Sequence, residues 1–132
     1  MYKKTITYVD YNGTERTEDF YFNLTKAEIA ELDLRHVGGF ESYINRLVHS
    51  DDNNAIVDTF KDIVAMSYGE KDPSGRRFVK SKEMSEAFML TEAYSEFFIE
   101  LLTKDGEAAA FINGIIPHIE ASPDKPLIPA AS

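Results

Sequence analysis

Hydrophobic and polar positions alternate at the start of the chain and recur with helical spacing further on. Ile6 and Tyr8 alternate with Thr5 and Thr7, and Phe20 and Phe22 alternate with Asp19 and Tyr21, which is the two-residue period of strands. Asn12-Gly13 between them marks a hairpin turn. A two-residue loop would pair Tyr11 with Thr14 and send Ile6 and Tyr8 to the face opposite Phe20 and Phe22. A three-residue loop, Tyr11-Asn12-Gly13 with Gly13 left-handed, pairs Asp10 with Thr14 and gathers all four on one face. The second register is expected, because a one-residue slip would expose half of this apolar set. An isolated hairpin is marginal in water, so its apolar face has to pack on helices.

The first helix has clear start signals. Thr25 as N-cap and Glu28 three residues on form a capping box, and Leu24 and Ile29 sit where a hydrophobic staple needs them. It should end near Arg35, before Gly38-Gly39. Phe40, Tyr43, Ile44, Leu47 and Val48 then follow a single helical stripe, and Ile56, Phe60, Ile63 and Val64 form another after a cap at Ser50 or Asp51. Both stripes are expected in the core.

After Tyr68-Gly69 the pattern breaks, as a glycine at a helix end predicts. Asp72-Pro73-Ser74-Gly75 reads as a turn. Arg76, Arg77 and Lys80, with Lys71 and Lys82 at the margins, make a basic cluster. Two readings stay open: loop charges offsetting nearby carboxylates, or a clamp for an acidic partner surface. A phosphate site fits less well, since the loop lacks P-loop spacing.

Ser81 caps a last helical region reaching about Lys104, with an interruption near Thr91. Met84, Phe88, Thr91, Tyr94, Phe98 and Leu101 share one side, while Leu90, Phe97 and Leu102 widen the apolar surface. Glu92, Glu96 and Glu100 form a ridge at spacing four that should be exposed. Core packing is the favoured reading for most of these side chains, and the excess apolar width makes an edge represented by Phe97, Phe98, Leu101 and Leu102 a candidate partner contact, with Arg76 and Arg77 as the second candidate. A short helix from Gly106 to Asn113, capped by Asp105 and stopped by Gly114 and Pro117, completes the expected domain. The expected fold is thus mostly α with an N-terminal β-hairpin: about five to six helices packed on two strands. One globular domain spans 1–117, with its hairpin at 2–22 and its helices within 25–116, and 118–132 form a flexible Pro-containing tail.

The composition narrows the function. With 132 residues and 43% hydrophobic content, the chain can bury one core. It has no cysteine, which removes disulfides, thiol nucleophiles and cysteine-based zinc sites. A net charge of −9 argues against non-specific nucleic-acid binding. Much of the excess lies in 81–132, where Lys82, Lys104 and Lys125 face nine carboxylates. The opening MYKKTITYVDYNG has no signal-type apolar segment, and no apolar run approaches the ~18 residues of a membrane span. A cytosolic protein without membrane contact is expected. His36, His49 and His118 lack metal-protease spacing, no nucleophile elbow is present, and the pairs Asp51-Asp52 and Glu28-Glu31 serve capping or solvation. No catalytic, metal or cofactor residues are assigned.

Three segments carry a resemblance. The opening KTITYVDYNGTERTEDFYFNLTKAE, the centre SYGEKDPSGRRFVKS and the end EAYSEFFIEL…FINGIIP, in that order, resemble the tail assembly chaperones of long-tailed phages of Gram-positive hosts over about residues 3 to 117. The resemblance implies a small, helical, non-catalytic protein of the host cytoplasm, absent from the mature virion. It implies binding to the tape measure protein, which is kept soluble, and help in recruiting tail tube protein. Self-association is expected from the surplus apolar helix surface. The alternatives are a structural head or tail component of the virion and, less favoured, a small enzyme.

Overall fold

A computed structural model of the chain describes residues 1–117, and the expected tail at 118–132 lies outside the described residues. The order of elements is β1 (Tyr2–Val9), β2 (Glu15–Phe22), α1 (Lys26–Arg35), α2 (Phe40–Val48), α3 (Asn53–Ser67), β3 (Tyr68–Lys71), β4 (Phe78–Val79), α4 (Lys82–Met89), α5 (Glu92–Thr103) and α6 (Glu107–Ile115). The fold is α+β, as expected, with an antiparallel sheet of order β1-β2-β3-β4.

The first hairpin adopts the three-residue loop. Asp10 N–H donates to Thr14 O at 2.8 Å, and Gly13 takes φ 84°. Thr14 N–H bonds the Asp10 carboxylate at 3.0 Å, and Arg16 Nε reaches the same group at 2.6 Å. In the resulting register Tyr2 faces Phe22 and Lys4 faces Phe20, so Ile6, Tyr8, Phe20 and Phe22 share one side. Ile6 and Phe22 are buried, and Tyr8 and Phe20 pack against the core. The opposite side is polar: Thr5 Oγ1 donates to Asp19, and Thr7 and Thr17 hydroxyls meet at 3.0 Å.

The sheet has four strands rather than the expected two. Gly69 does not close a helix. It lies in β3, paired with Tyr21, where an added Cβ would meet the Val79 carbonyl oxygen at 2.6 Å. The Asp72–Arg77 turn links β3 to β4, with Asp72 N–H on Arg77 O at 2.9 Å and Gly75 at φ 77°. Lys80, read from sequence as part of an exposed basic cluster, is instead a brace. Its ammonium donates to Asn23 O, Met66 O and Glu28 Oε1 at 3.0, 3.1 and 2.7 Å, joining β2, α3 and the start of α1.

The Thr25–Glu28 capping box forms in both directions. Thr91 caps α5 and Ser81 caps α4, so the last helical region breaks at Thr91. Two caps differ from expectation. Asp52, not Ser50 or Asp51, accepts from Ala55 N–H at the start of α3, and left-handed Gly106, without a side-chain cap, precedes α6. Gly114 does not stop α6 either. It lies within the helix, where an added Cβ would meet the Tyr2 ring at 2.6 Å, so glycine there permits α6 to press on β1.

Phe22 sits at the centre. Its ring stacks on Phe97 at 5.0 Å and meets Phe111 edge-on at 5.5 Å, with Phe88 and Tyr68 alongside. Each such aromatic pair adds about 0.5–1.5 kcal/mol beyond burial. The hairpin is therefore the floor on which α4, α5 and α6 close.

Candidate partner-binding surface

The structure divides the expected contact edge of α5. Phe97 is fully buried between Phe22 and Phe111, and Leu101 is buried as well. Both are among the side chains for which core packing is the favoured reading, and β2 and α6 supply the facing surface. Phe98 is half-buried, stacked on Tyr94 at 5.4 Å and packed against the core. Leu102 projects from the end of α5, 43% exposed.

Leu102 borders an open groove of about 440 Å³ where α2 and α3 face the α5–α6 turn. Ile44 and Phe60 form its inner wall, Val48 and Leu102 its outer lips, and Ala108 and Ile112 its α6 side. The local sequence explains the opening. Left-handed Gly106, at φ 82°, turns the chain sharply between α5 and α6, and small Ala108 and Ala109 follow where larger residues would fill the space. Val48, expected in the core as the last member of its stripe, is the final residue of α2 and 40% exposed, while Phe40 and Ile44 of the same stripe are buried. Glu41, Lys104 and Asp105 stand among the lining residues. Asn45, Thr103 and Asn113 line it too, so the groove sets an apolar wall beside polar and charged positions, suited to one edge of an amphipathic helix.

Arg76 and Arg77 lie on the β3–β4 turn, and neither lines this groove. Both are exposed, and Arg77 Nε donates to Asp72 at 2.9 Å. Hydrogen bonds from Ser74 and Arg77 hold the Asp72 carboxyl below its usual range. Arg77 thus serves its own turn, which leaves Arg76 as the outward charge of the pair. The Glu92, Glu96 and Glu100 ridge is less exposed than its spacing suggests. Tyr11 Oη donates to Glu92 at 2.8 Å, and Lys4 Nζ lies 2.8 Å from Glu100 Oε1 as an ion pair without hydrogen-bond alignment. Glu96 remains exposed.

The most strongly shifted titratable group, Tyr2, belongs to a structural cluster. Tyr2 Oη and Lys4 Nζ both donate to Glu107 Oε2, at 2.7 and 3.0 Å. Burial, then the bond to Glu107, pushes the Tyr2 hydroxyl up to about 12. Burial also opposes charge on Glu107 and Lys4, but the bonds from Tyr2 and then Lys4 outweigh it and lower the carboxyl, while Glu100 and then Glu107 outweigh it and raise the ammonium. These groups satisfy one another and tie β1 to α6. His36 stacks on Tyr43 at 4.0 Å, and the His49 ring nitrogen Nδ1 lies 2.8 Å from Asn45 O. Among the described residues no group of His, Asp and Glu side chains could hold a metal ion, and no helix is long and apolar enough to cross a membrane.

Sequence reasoning found Leu102 but missed the groove around it, because the lining comes from four helices distant in the chain. The surviving signal was Val48 at the end of its stripe. In comparisons with known proteins, a family model described as phage tail assembly chaperone matches residues 1–121. Neither the curated proteins nor the solved structures gave a match.

Proposed function

The chain belongs to the phage tail assembly chaperone family, and from that premise we propose that it holds an apolar segment of the tape measure protein in the groove between α2 and the α5–α6 turn. The observation that carries this reading is an apolar groove with two exposed lips, Val48 and Leu102, in a member of an assembly-chaperone family. Binding there shields hydrophobic surface of the partner, while the net charge of −9 keeps the complex in solution. No bond is made or broken. The same complex then presents the tape measure protein for addition of tail tube subunits, and the chaperone leaves before the virion of a long-tailed phage matures. In this reading 1–117 act as one folded unit in the cytoplasm of a Gram-positive host, with self-association through remaining apolar surface.

Co-expression with the tape measure protein tests the reading. The partner should be soluble with the parent chain and insoluble with folded Val48→Asp or Leu102→Asp variants. A partner equally soluble with both variants would move the contact away from the groove, with the exposed Arg76 as the next position to change. Detection of this chain by mass spectrometry in purified virions would favour a structural tail component instead.

A further inference from the structure

The first strand ends the sheet on a regular edge, charged at Lys3 and Lys4 near its start and uncharged from Thr5 to Val9. β1 pairs with β2 over its whole length without a bulge, and no strand flanks its other side among the described residues. Because Asp10 N–H bonds Thr14 O, the alternation of an antiparallel ladder turns the backbone groups of Lys3, Thr5, Thr7 and Val9 outward. All four residues are exposed. Short length, proline or a bulge commonly blunts such an edge, and β1 uses none of them.

The α5 helix runs back along this strand, as the Tyr11–Glu92 and Lys4–Glu100 contacts show. A slot of about 250 Å³ opens between them, with Lys4, Thr5, Ile6 and Thr7 on one side, Glu96 and Glu100 on the other, and Phe97 also lining it. Lys4 neutralises Glu100, whereas Glu92 receives only a neutral hydroxyl and Glu96 is exposed. We propose that the outer edge of β1 receives an extended basic polypeptide segment as a fifth strand, its lysine or arginine side chains meeting Glu92 and Glu96.

Spacing supports this occupant. Residues four apart on a helix rise about 6 Å, and alternate residues of a strand advance about 6.8 Å. A segment basic at every second position therefore keeps step with the glutamates. A second copy fits worse. Antiparallel pairing of two β1 edges about a two-fold axis leaves the helices on the same face of a continuous sheet, setting two acidic α5 ridges against each other. This slot shares no lining residue with the α2–α6 groove, so the inference stands apart from the function proposed above.

The full chain should be titrated with a synthetic ten-residue peptide alternating lysine with valine or threonine. Two control peptides carry glutamate for lysine, or a central proline. Binding is read by fluorescence anisotropy, and amide hydrogen exchange is followed residue by residue. The lysine peptide should bind saturably and slow exchange at Thr5 and Thr7, while both controls fail. Glu96→Lys, at an exposed position, should keep the parent circular dichroism and weaken binding by about tenfold; Leu102→Asp should leave it unchanged. Absence of binding, unaltered exchange at Thr5 and Thr7, or equal binding of the proline peptide overturns the proposal. Concentration-dependent protection of Thr5 and Thr7 without peptide would identify a second copy as the occupant, and would overturn it too.

Discussion

Phe97 and Leu102 stand on the same helix, yet one closes the aromatic centre and the other borders an open groove. The difference lies in what faces them. Beneath Phe97, the hairpin presents Phe22 and α6 presents Phe111, so rings meet within about 5.5 Å on both sides. Beside Leu102, the sharp turn at Gly106 is followed by Ala108 and Ala109, too small to fill the space against α2. Hydrophobic side chains at helical spacing thus meet opposite fates according to the volume of residues remote in sequence. The centre is built to be filled from within, and the groove is left for something else to fill.

The sharpest way to break this contrast is at the centre. Phe22→Ala should cost about 4 kcal/mol, since it removes the ring against which Phe97, Phe111, Phe88 and Tyr68 pack. Denaturant unfolding would measure it, and a loss below about 1 kcal/mol, an ordinary average for any substitution, would mean the centre is not the stabilising region. Next comes Gly69→Ala. Its new methyl would collide with the Val79 carbonyl oxygen, a backbone atom, so β3 and β4 must separate, at a cost of about 2–3 kcal/mol by thermal melt.

The Tyr2–Lys4–Glu107 cluster ties the hairpin to α6 and gives the closed region a pH dependence. Glu107 and Glu28 titrate below their usual range, Glu28 because hydrogen bonds and charge from Lys80 and the Thr25 cap outweigh its burial. Both bind a proton less readily folded than unfolded. Their stabilisation is therefore present above the unfolded carboxyl value of about 4.3 and disappears as pH falls through the lower folded values. Tyr2, raised to about 12, acts on the alkaline side: its contribution is intact below the unfolded value of about 10 and is lost as pH rises from there through the folded value. Glu107→Gln should cost about 1–2 kcal/mol at neutral pH and flatten the acid limb of stability against pH. An unchanged acid limb would show that the cluster does not couple hairpin to helix.

Much of this contrast is legible in the residues themselves. The register of the first hairpin follows from requiring Ile6, Tyr8, Phe20 and Phe22 on one face, and the Thr25–Glu28 box follows from its spacing. Both are local rules, settled within a few residues of sequence. β3 and β4 escape because strands of four and two residues are too short to show a period, and because Gly69 matches a helix end as well as a close strand contact. Lys80 looks like part of a basic patch because its three acceptors come from β2's end, α1 and α3. The groove escapes for the same reason. Its lips, Val48 and Leu102, belong to helices that meet only in space, and a stripe does not reveal which of its members outrun their cover.

The smallest expected change in stability tests the groove most directly. Leu102→Asp places a carboxylate on a side chain already 43% exposed, so it should alter unfolding free energy by no more than about 0.5 kcal/mol, the usual range for surface positions. The added charge would nonetheless stand at the mouth of an apolar groove, where a bound hydrophobic segment would have to desolvate it. Phe97→Ala provides the opposite case on the same helix: it should lose stability heavily because its ring is enclosed, whatever it does to binding. Paired thermal melts and tape-measure solubility assays on the two variants separate the regions. A Leu102→Asp protein that melts far below the parent would place Leu102 with the closed core. One that melts with the parent and still keeps its partner soluble would leave the groove without a role in binding.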